Sequence, residues 1–180
     1  MSERYKQDLD EEGIYYLTGT INMSSVAEPI RWVLRENFNR NHKKLTLIIN
    51  SNGGELSAAF ALIDVMRGSS IPIHTIGLGR IASSGLLIFA SGEKGHRVVT
   101  PNTSILSHQW SGGSYGKEHD LVARFKEHDM VTDRMLKHYA KCTGLEPKKI
   151  RKRLLPPTDV WLTPKEARKL NLCDKIKDIG

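Results

Sequence analysis

The chain has 180 residues, of which 39% are hydrophobic, and it carries a formal net charge of +7. This size and composition suit one domain with a buried core, and no apolar run is long enough to cross a bilayer. The basic residues are spread along the chain, and the densest run, residues 148–153, has no interleaved aromatic side chains. We therefore interpret that run as a solvated helix face and expect no nucleic-acid or membrane partner.

Strands and helices alternate in the first part of the chain. In chain order, the predicted elements are a polar lead-in (1–13), a strand (14–21), a helix capped by Ser24 or Ser25 (to residue 38), a strand (45–50), a turn (51–54) and a helix (55–67). The face of the first helix that we expect to be buried carries Val26, Ile30, Val33 and Leu34. The alternation predicts an α/β fold with a mostly parallel sheet.

The next stretch, residues 73–92, organises the candidate site. It predicts a buried strand (73–78), a turn around Gly79 and an apolar helix (84–90), with Ser83 and Ser84 at the corner before the helix. The unpaired N–H groups of a helix N-terminus point toward such a corner, which suits a serine nucleophile whose attack creates an oxyanion. On these residues alone, a simple helix cap is the alternative interpretation of either serine.

Short strands and one long helix make up the rest of the chain. In order, these are strands (97–100 and 104–108), a glycine-rich connector (111–116), a long helix (117–141), a short basic helix (146–154), an extended segment (159–162) and a final helix (164–170). We expect one subunit to leave the apolar face of the long helix partly uncovered around Leu121, Phe125 and Tyr139. Such a face favours the assembly of several copies.

Two further residues are candidates for activating a serine nucleophile. A hydroxyl is a weak nucleophile without a base, and His108 ends a predicted strand where it could meet Ser83. Asp159 follows two prolines and Thr158 and precedes an apolar segment, where a carboxylate is costly unless it is paired. Orienting an imidazole would pair it. These positions leave open that His108 is structural and that Asp159 is a turn residue.

A pair of glycines, Gly53 and Gly54, follows the buried strand at a place where ligand crevices form in open parallel sheets. Successive glycines let the backbone approach a substrate closely and expose an N–H group. The N–H groups of Gly54 and Ser84 would together form a two-donor oxyanion hole. The alternative is a simple turn between a strand and a helix.

No metal or other cofactor is expected. Cys142 and Cys173 match no metal-ligand spacing, and no two histidines of the long helix stand four residues apart, the spacing that binds a metal on one face. The cysteines fit a reduced, cytoplasmic location.

Three strings carry a resemblance to a known family: LIINSNGGELSAAFALIDVM, GLGRIASSGLLIFASGEKGHRVVTPNTSILSHQ and DVWLTPKEARKLNLCD. In this order they resemble the proteolytic subunit of the Clp protease. The resemblance implies that Ser83 is the nucleophile, His108 the base and Asp159 the residue that orients the base, with the N–H groups of Gly54 and Ser84 as the oxyanion hole. It also implies one domain over residues 1–180 with the ββα spiral of the Clp/crotonase superfamily.

The resemblance further implies an assembly of two stacked heptameric rings, a tetradecamer, that encloses a chamber. A protruding handle over residues 111–143 would join the rings. Its extended connector would pair with bound peptide through Gly112, Gly113 and Ser114. Gly53 of the glycine pair is the fourth expected substrate-binding residue.

Six positions depart from the family pattern. Three of them leave the catalytic groups in place, namely Asn52 and Trp110 for proline and Ser84 for methionine. Three others stand where docking aromatics for an AAA+ unfoldase are usual, namely Thr46, Ile48 and Val98. Since aromatic anchors tend to dominate interface energy, we expect weak or no unfoldase binding. The short segment before the first strand predicts an entrance that is open to short peptides.

The prediction is a serine endopeptidase that cleaves short or unfolded polypeptides. The alternatives are a crotonase-type acyl-CoA hydratase or isomerase, which also uses two backbone N–H groups, and an inactive structural ring subunit. A membrane signal-peptide peptidase and a basic nucleic-acid module are weaker alternatives. The serine, histidine and aspartate together favour the peptidase.

Overall fold

The computed structural model describes residues 9–112 and 116–179, apart from the side chain of residue 120. The strands are Ile14–Ile21 (β1), Leu45–Gly54 (β2), Ile73–Ala82 (β3), Arg97–Val99 (β4), Ser104–Ser107 (β5), Val160–Leu162 (β6) and Lys175–Ile176 (β7). The main helices are Met23–Asn39 (α1), Leu56–Gly68 (α2), Ser84–Ala90 (α3), Glu118–Thr143 (α4), Pro147–Arg153 (α5) and Pro164–Lys169 (α6). The predicted α/β class is confirmed.

The strands form one sheet that forks along β3. Strands β1, β2, β3, β4 and β7 lie side by side in this order and are all parallel. The first part of β3 pairs with β4 through residues 75–77, and its last part pairs with β5 through residues 80–82. Among the strands that the structure describes, β6 alone is antiparallel, and it pairs with β5. The turn predicted around Gly79 is therefore wrong, because the strand continues there and changes its neighbour.

The core lies between the sheet and its helices. Leu45, Leu47 and Ile49 of β2 are at most 1% exposed, while the residues between them are only half-buried. All seven residues of α3 are buried. A short helix that is apolar on every side must be enclosed by the core, and this enclosure anchors the N-terminus of α3, where Ser83 lies.

The first helix differs from its prediction in two respects. Its N-cap is Asn22, whose Oδ1 accepts from the Ser25 N–H at 2.9 Å, so neither Ser24 nor Ser25 is the cap. Ser25 instead completes the capping box from the third helical position. The buried face also differs from the prediction, since it includes Trp32, whereas Leu34, predicted to be buried, is 56% exposed.

The long helix α4 is divided between core and surface. In its C-terminal part, Met135, Leu136 and Tyr139 are buried, so the prediction that Tyr139 lies uncovered is wrong. In its N-terminal part, Val122 is 64% and Phe125 66% exposed. Within the described ranges, no helix combines the length and the hydropathy that a membrane crossing requires.

Candidate active site

Ser83 lies at the sharp corner between β3 and α3. Its φ of 54° and ψ of −126° are unusual for a residue with a side chain, and its N–H donates to the Leu106 carbonyl at 2.9 Å. The Ser83 side chain makes no capping hydrogen bond to α3. A simple helix cap therefore does not describe this serine, whose strained backbone is typical of a nucleophile corner.

His108 meets Ser83 directly. The parallel pairing of Ala82 with Leu106 brings the ends of β3 and β5 together, and His108 follows the last residue of β5. Its Nε2 lies 2.8 Å from Ser83 Oγ, which is a hydrogen bond. Serine and histidine thus have the arrangement in which an imidazole can remove a hydroxyl proton.

Asp159 lies on the other side of the imidazole but does not reach it. It precedes β6, whose Val160 pairs with Ser107, so the backbone brings the carboxylate near His108. Asp159 Oδ1 is 3.9 Å from His108 Nδ1, beyond hydrogen-bond distance, and the aspartate side chain is 62% exposed. The structure therefore contains a closed Ser–His pair beside an aspartate that is about 1 Å too distant for a hydrogen bond.

Another acid near the C-terminus, Asp174, has a structural role. Its carboxylate accepts bonds from the Arg97 guanidinium at 2.7 and 2.9 Å, and Arg97 is only 2% exposed. Burial opposes ionisation of Asp174, but the hydrogen bonds from Arg97 outweigh it and hold the pKa of this carboxyl below its usual range. Asp174 is thus committed to Arg97 and not to His108.

The glycine pair closes the site from the side of β2. Gly53 and Gly54 continue the strand, paired with Thr20 and Ile21 of β1, so the turn predicted over 51–54 is wrong. A Cβ on Gly53 would lie 2.7 Å from both the Ala82 carbonyl oxygen and Ser83 Cβ, and a Cβ on Gly54 would overlap the Ile21 carbonyl. Only glycine lets β2 approach the serine so closely.

Ser84 contributes no side chain to the cleft. It is fully buried, and its Oγ has no hydrogen-bond partner among the described residues. Its backbone nitrogen would lie 3.1 Å from a Cβ on Gly53, so this N–H group is at the junction of α3 and the glycine pair. As the first residue of a helix, it has no carbonyl partner within that helix.

Ser83 and His108 open into a cleft of about 430 Å³ between α2 and α4. Its apolar lining comprises Leu56, Trp110, Met130, Val131 and Met135. Glu55, Glu127 and Arg134 supply its charges. The α4 residues were missed from the sequence, although 127, 130, 131, 134 and 135 follow the spacing of one helix face.

Trp110, just before the glycine-rich connector (111–116), contacts α4. Its Nε1 donates to Thr132 Oγ1 at 3.1 Å, and its ring lies 4.3 Å from the His128 ring. Gly112 lies against the same indole. Of the predicted peptide-binding residues, Gly53 and Gly112 therefore lie near the cleft, whereas Gly113 and Ser114 lie outside the described residues.

The three positions predicted to lack docking aromatics lie on the sheet face that carries the half-buried residues of β2. Ile48 pairs with Ile76, which pairs with Val98, so these side chains form a row across the strands. Thr46 pairs with His74, whose ring stacks on His96 at 3.9 Å. No large aromatic ring stands at those three positions, although Tyr16 of β1 pairs with Ile48 on the same face.

No group of three or more histidine, cysteine or acidic side chains that could hold a metal occurs in the part of the chain that the structure describes. A comparison with models of protein families matches residues 2–179 to the family described as Clp protease. The match includes every residue of the site described above.

Proposed function

Since this chain belongs to the Clp protease family, we propose that it is a serine endopeptidase that hydrolyses short or unfolded polypeptides. The observation that carries the proposal is the 2.8 Å contact between Ser83 Oγ and His108 Nε2 at a strained strand-to-helix corner. A cleft with an apolar lining adjoins this pair, as a peptidase needs for the side chain beside the scissile bond.

The chemistry follows from the two side chains. His108 Nε2 takes the proton of Ser83 Oγ as the oxygen attacks the scissile carbonyl carbon, which yields a tetrahedral oxyanion and an imidazolium. The imidazolium returns that proton to the departing amine when the C–N bond breaks, leaving an acyl ester on Ser83. Water, deprotonated by the same imidazole, then attacks the ester carbon. The bond from this carbon to Ser83 Oγ breaks, the imidazolium returns the proton to Ser83 Oγ, and the carboxylic acid is released.

The surrounding groups would stabilise these charges. We assign the oxyanion to the N–H groups of Gly54 and Ser84, because Gly54 lines the cleft together with Ser83 and the Ser84 nitrogen lies at the start of α3, beside Gly53. We assign the imidazolium to Asp159, which needs to move about 1 Å from its 3.9 Å separation to bond with His108 Nδ1. None of these steps calls for a cofactor.

We also propose that the chain assembles into two stacked heptameric rings around a chamber. Val122 and Phe125 support this, since both are more than 60% exposed on α4 and have an apolar side chain that a neighbouring copy would cover. Short or unfolded peptides would enter without help. With Thr46 and Ile48 in place of docking aromatics, an AAA+ unfoldase would bind weakly or not at all. The free, buried cysteines fit a cytoplasmic location.

Labelling with a fluorophosphonate probe tests the proposed peptidase. The probe should modify Ser83, identified by peptide mapping, and Ser83→Ala should lose both labelling and peptide hydrolysis. Ser84→Ala is the matched control and should keep most activity, because only its backbone is assigned a role. Labelling at Ser84, or hydrolysis by Ser83→Ala, would overturn the assignment. Hydration or isomerisation of acyl-CoA without labelling would favour the crotonase alternative.

A further inference from the structure

A second depression lies beside the catalytic cleft, between α2 and α4. Its volume is about 590 Å³, and four cationic side chains line it, namely Arg67, Arg134, Lys137 and Lys141. We refer to these four residues and the surface between them as the cationic groove. Asp64 is the one carboxylate in its lining. The groove therefore has an excess of positive charge.

The groove is continuous with the cleft that contains Ser83. Ser57 and Arg134 line both depressions, so no intervening element separates them. The cleft itself contains two carboxylates, Glu55 and Glu127. A peptide that extends from the cleft along α4 thus passes from acidic surroundings into cationic ones, beginning at Arg134.

Most of the groove's positive charge is not neutralised by the residues that the structure describes. Among the described residues, no carboxylate lies within ion-pair distance of Arg67, Arg134 or Lys141. Arg134 instead lies over the Phe60 ring at 5.3 Å. Lys137 is the exception, since its Nζ is 2.7 Å from Asp133 Oδ2.

A buried histidine holds one of these cations in position. Arg67 Nη2 donates to His138 Nδ1 at 2.9 Å, and His138 Nε2 donates to the Leu87 carbonyl at 3.0 Å. His138 is 2% exposed, and its burial, with the charge of Arg67 nearby, lowers its pKa to about 3. The neutral ring can accept from the guanidinium and tie Arg67 to the helix that follows Ser83.

We propose that the cationic groove binds an acidic segment of the peptide substrate, so that Asp or Glu on one side of the scissile bond increases the rate of cleavage. The preference should apply to one side of the scissile bond only, because the cations begin at Arg134 and the cleft carries Glu55 and Glu127. The two guanidinium groups and the one ammonium group without an ion-pair partner are suited to carboxylates. This inference rests on the proposed peptidase function.

Two pairs of internally quenched peptides test the inference. All four have the same apolar residue at the cleavage site, and each pair compares Glu-Glu with Gln-Gln on the amino-terminal or the carboxyl-terminal side. In one pair the acidic peptide should have the higher kcat/KM, by about five- to tenfold in low salt. This preference should fall toward unity in ~0.5 M NaCl, because salt screens exposed charges.

Variants that change one charge sharpen the test. Arg134→Gln and Lys141→Gln should each reduce the ratio of the Glu to the Gln peptide, and Asp64→Asn should increase it. Arg151→Gln is the matched control, because Arg151 is exposed on α5 and lines neither depression. It should leave the ratio and the rates unchanged.

The outcomes separate this inference from the proposed function. If the Gln peptides are cleaved and the Glu peptides are no faster in either pair, the groove does not bind acidic substrate and the inference is overturned. The same conclusion follows if Arg134→Gln and Arg151→Gln change the ratio equally. If no peptide is cleaved and Ser83 is not labelled by the fluorophosphonate, the proposed peptidase function itself fails.

Discussion

All seven residues of α3, behind Ser83, are buried, whereas three apolar residues in the first half of α4, Val122, Phe125 and Met130, are more than half exposed. The head of the subunit, residues 14–108, covers most of its apolar residues with its own chain, although Met23, Leu34 and Phe38 are more than half exposed. The outer half of α4, residues 118–133, lacks such cover. The buried residues of the head form one core with the inner half of α4 and the C-terminal elements. We infer that a neighbouring copy covers the outer half of α4.

The cleft is where these two regions meet. Ser83, His108 and Gly54 come from the head, while Glu127, Met130 and Val131 come from the outer half of α4. The wall that carries Ser83 and His108 therefore packs on the core. The opposite wall belongs to the outer half of α4, which packs less against the rest of the subunit. This difference implies that chemistry and assembly can be damaged separately by single substitutions.

The largest expected effect lies in the head. His108→Ala removes the proposed base 2.8 Å from Ser83 and should reduce kcat by at least a thousandfold. Circular dichroism and light scattering should be unchanged, because His108 is not part of the apolar core. A variant that retained more than a tenth of the activity would move the base to another group.

The two halves of α4 should respond in opposite ways to substitution. Leu136→Ala in the buried half leaves a cavity and should lower the free energy of unfolding by about 2–4 kcal/mol, while the particle mass stays the same. Denaturant unfolding at fixed protein concentration and light scattering measure the two quantities.

In the outer half, Phe125→Glu should leave the unfolding of the subunit within about 1 kcal/mol, because the side chain is 66% exposed. It should dissociate the assembly, since a carboxylate would be buried in the proposed contact. Peptide hydrolysis should fall with the particle mass. An assembly of unchanged mass would contradict the role that we give to this half of α4.

The distance between Asp159 and His108 predicts that the aspartate contributes less to the rate than His108 does. Asp159→Asn should reduce kcat by about a hundredfold, less than expected for a closed triad, because the aspartate is exposed and 3.9 Å from the ring. Asp174→Asn is the control, and it should lower stability through the loss of Arg97 bonds more than it lowers kcat. A near-normal rate for Asp159→Asn would show that another group orients His108.

The smallest effect concerns the tie between α4 and the head. His138 has a pKa of about 3 in the folded chain, against an ordinary value of 6.5, so the unfolded chain binds one more proton between these values. Its contribution to stability is fully present above pH 6.5 and is lost as the pH falls toward 3. Between pH 8 and pH 5 the loss should be about 2 kcal/mol.

Denaturant unfolding at pH 8 and pH 5 measures this loss. His138→Phe should unfold with a weaker dependence on pH than the unchanged chain, because the substituted ring cannot take up a proton. Equal dependence in both proteins would assign the acid sensitivity to other groups.

Much of the local structure could be predicted from the sequence. The bounds of β1 and α3 match their predictions, because an apolar run and its flanking residues act over a few positions. The glycines at 53, 54 and 79 were interpreted as turns, but their positive φ angles belong to irregularities within β2 and β3, which continue through pairing with β1 and β5. Strand partners distant in sequence outweigh a local preference for a turn.

By itself, the sequence determined the residue types of the site, a serine at a helix corner, a histidine at a strand end and two glycines beside them. Only the tertiary structure decided that Ser83 and His108 lie 2.8 Å apart, that Asp159 is 3.9 Å from His108 and that Arg134 lines both the cleft and the cationic groove. These relations depend on sheet register and on the packing of α2 against α4. Such contacts join residues far apart along the chain, and no local pattern encodes their distances.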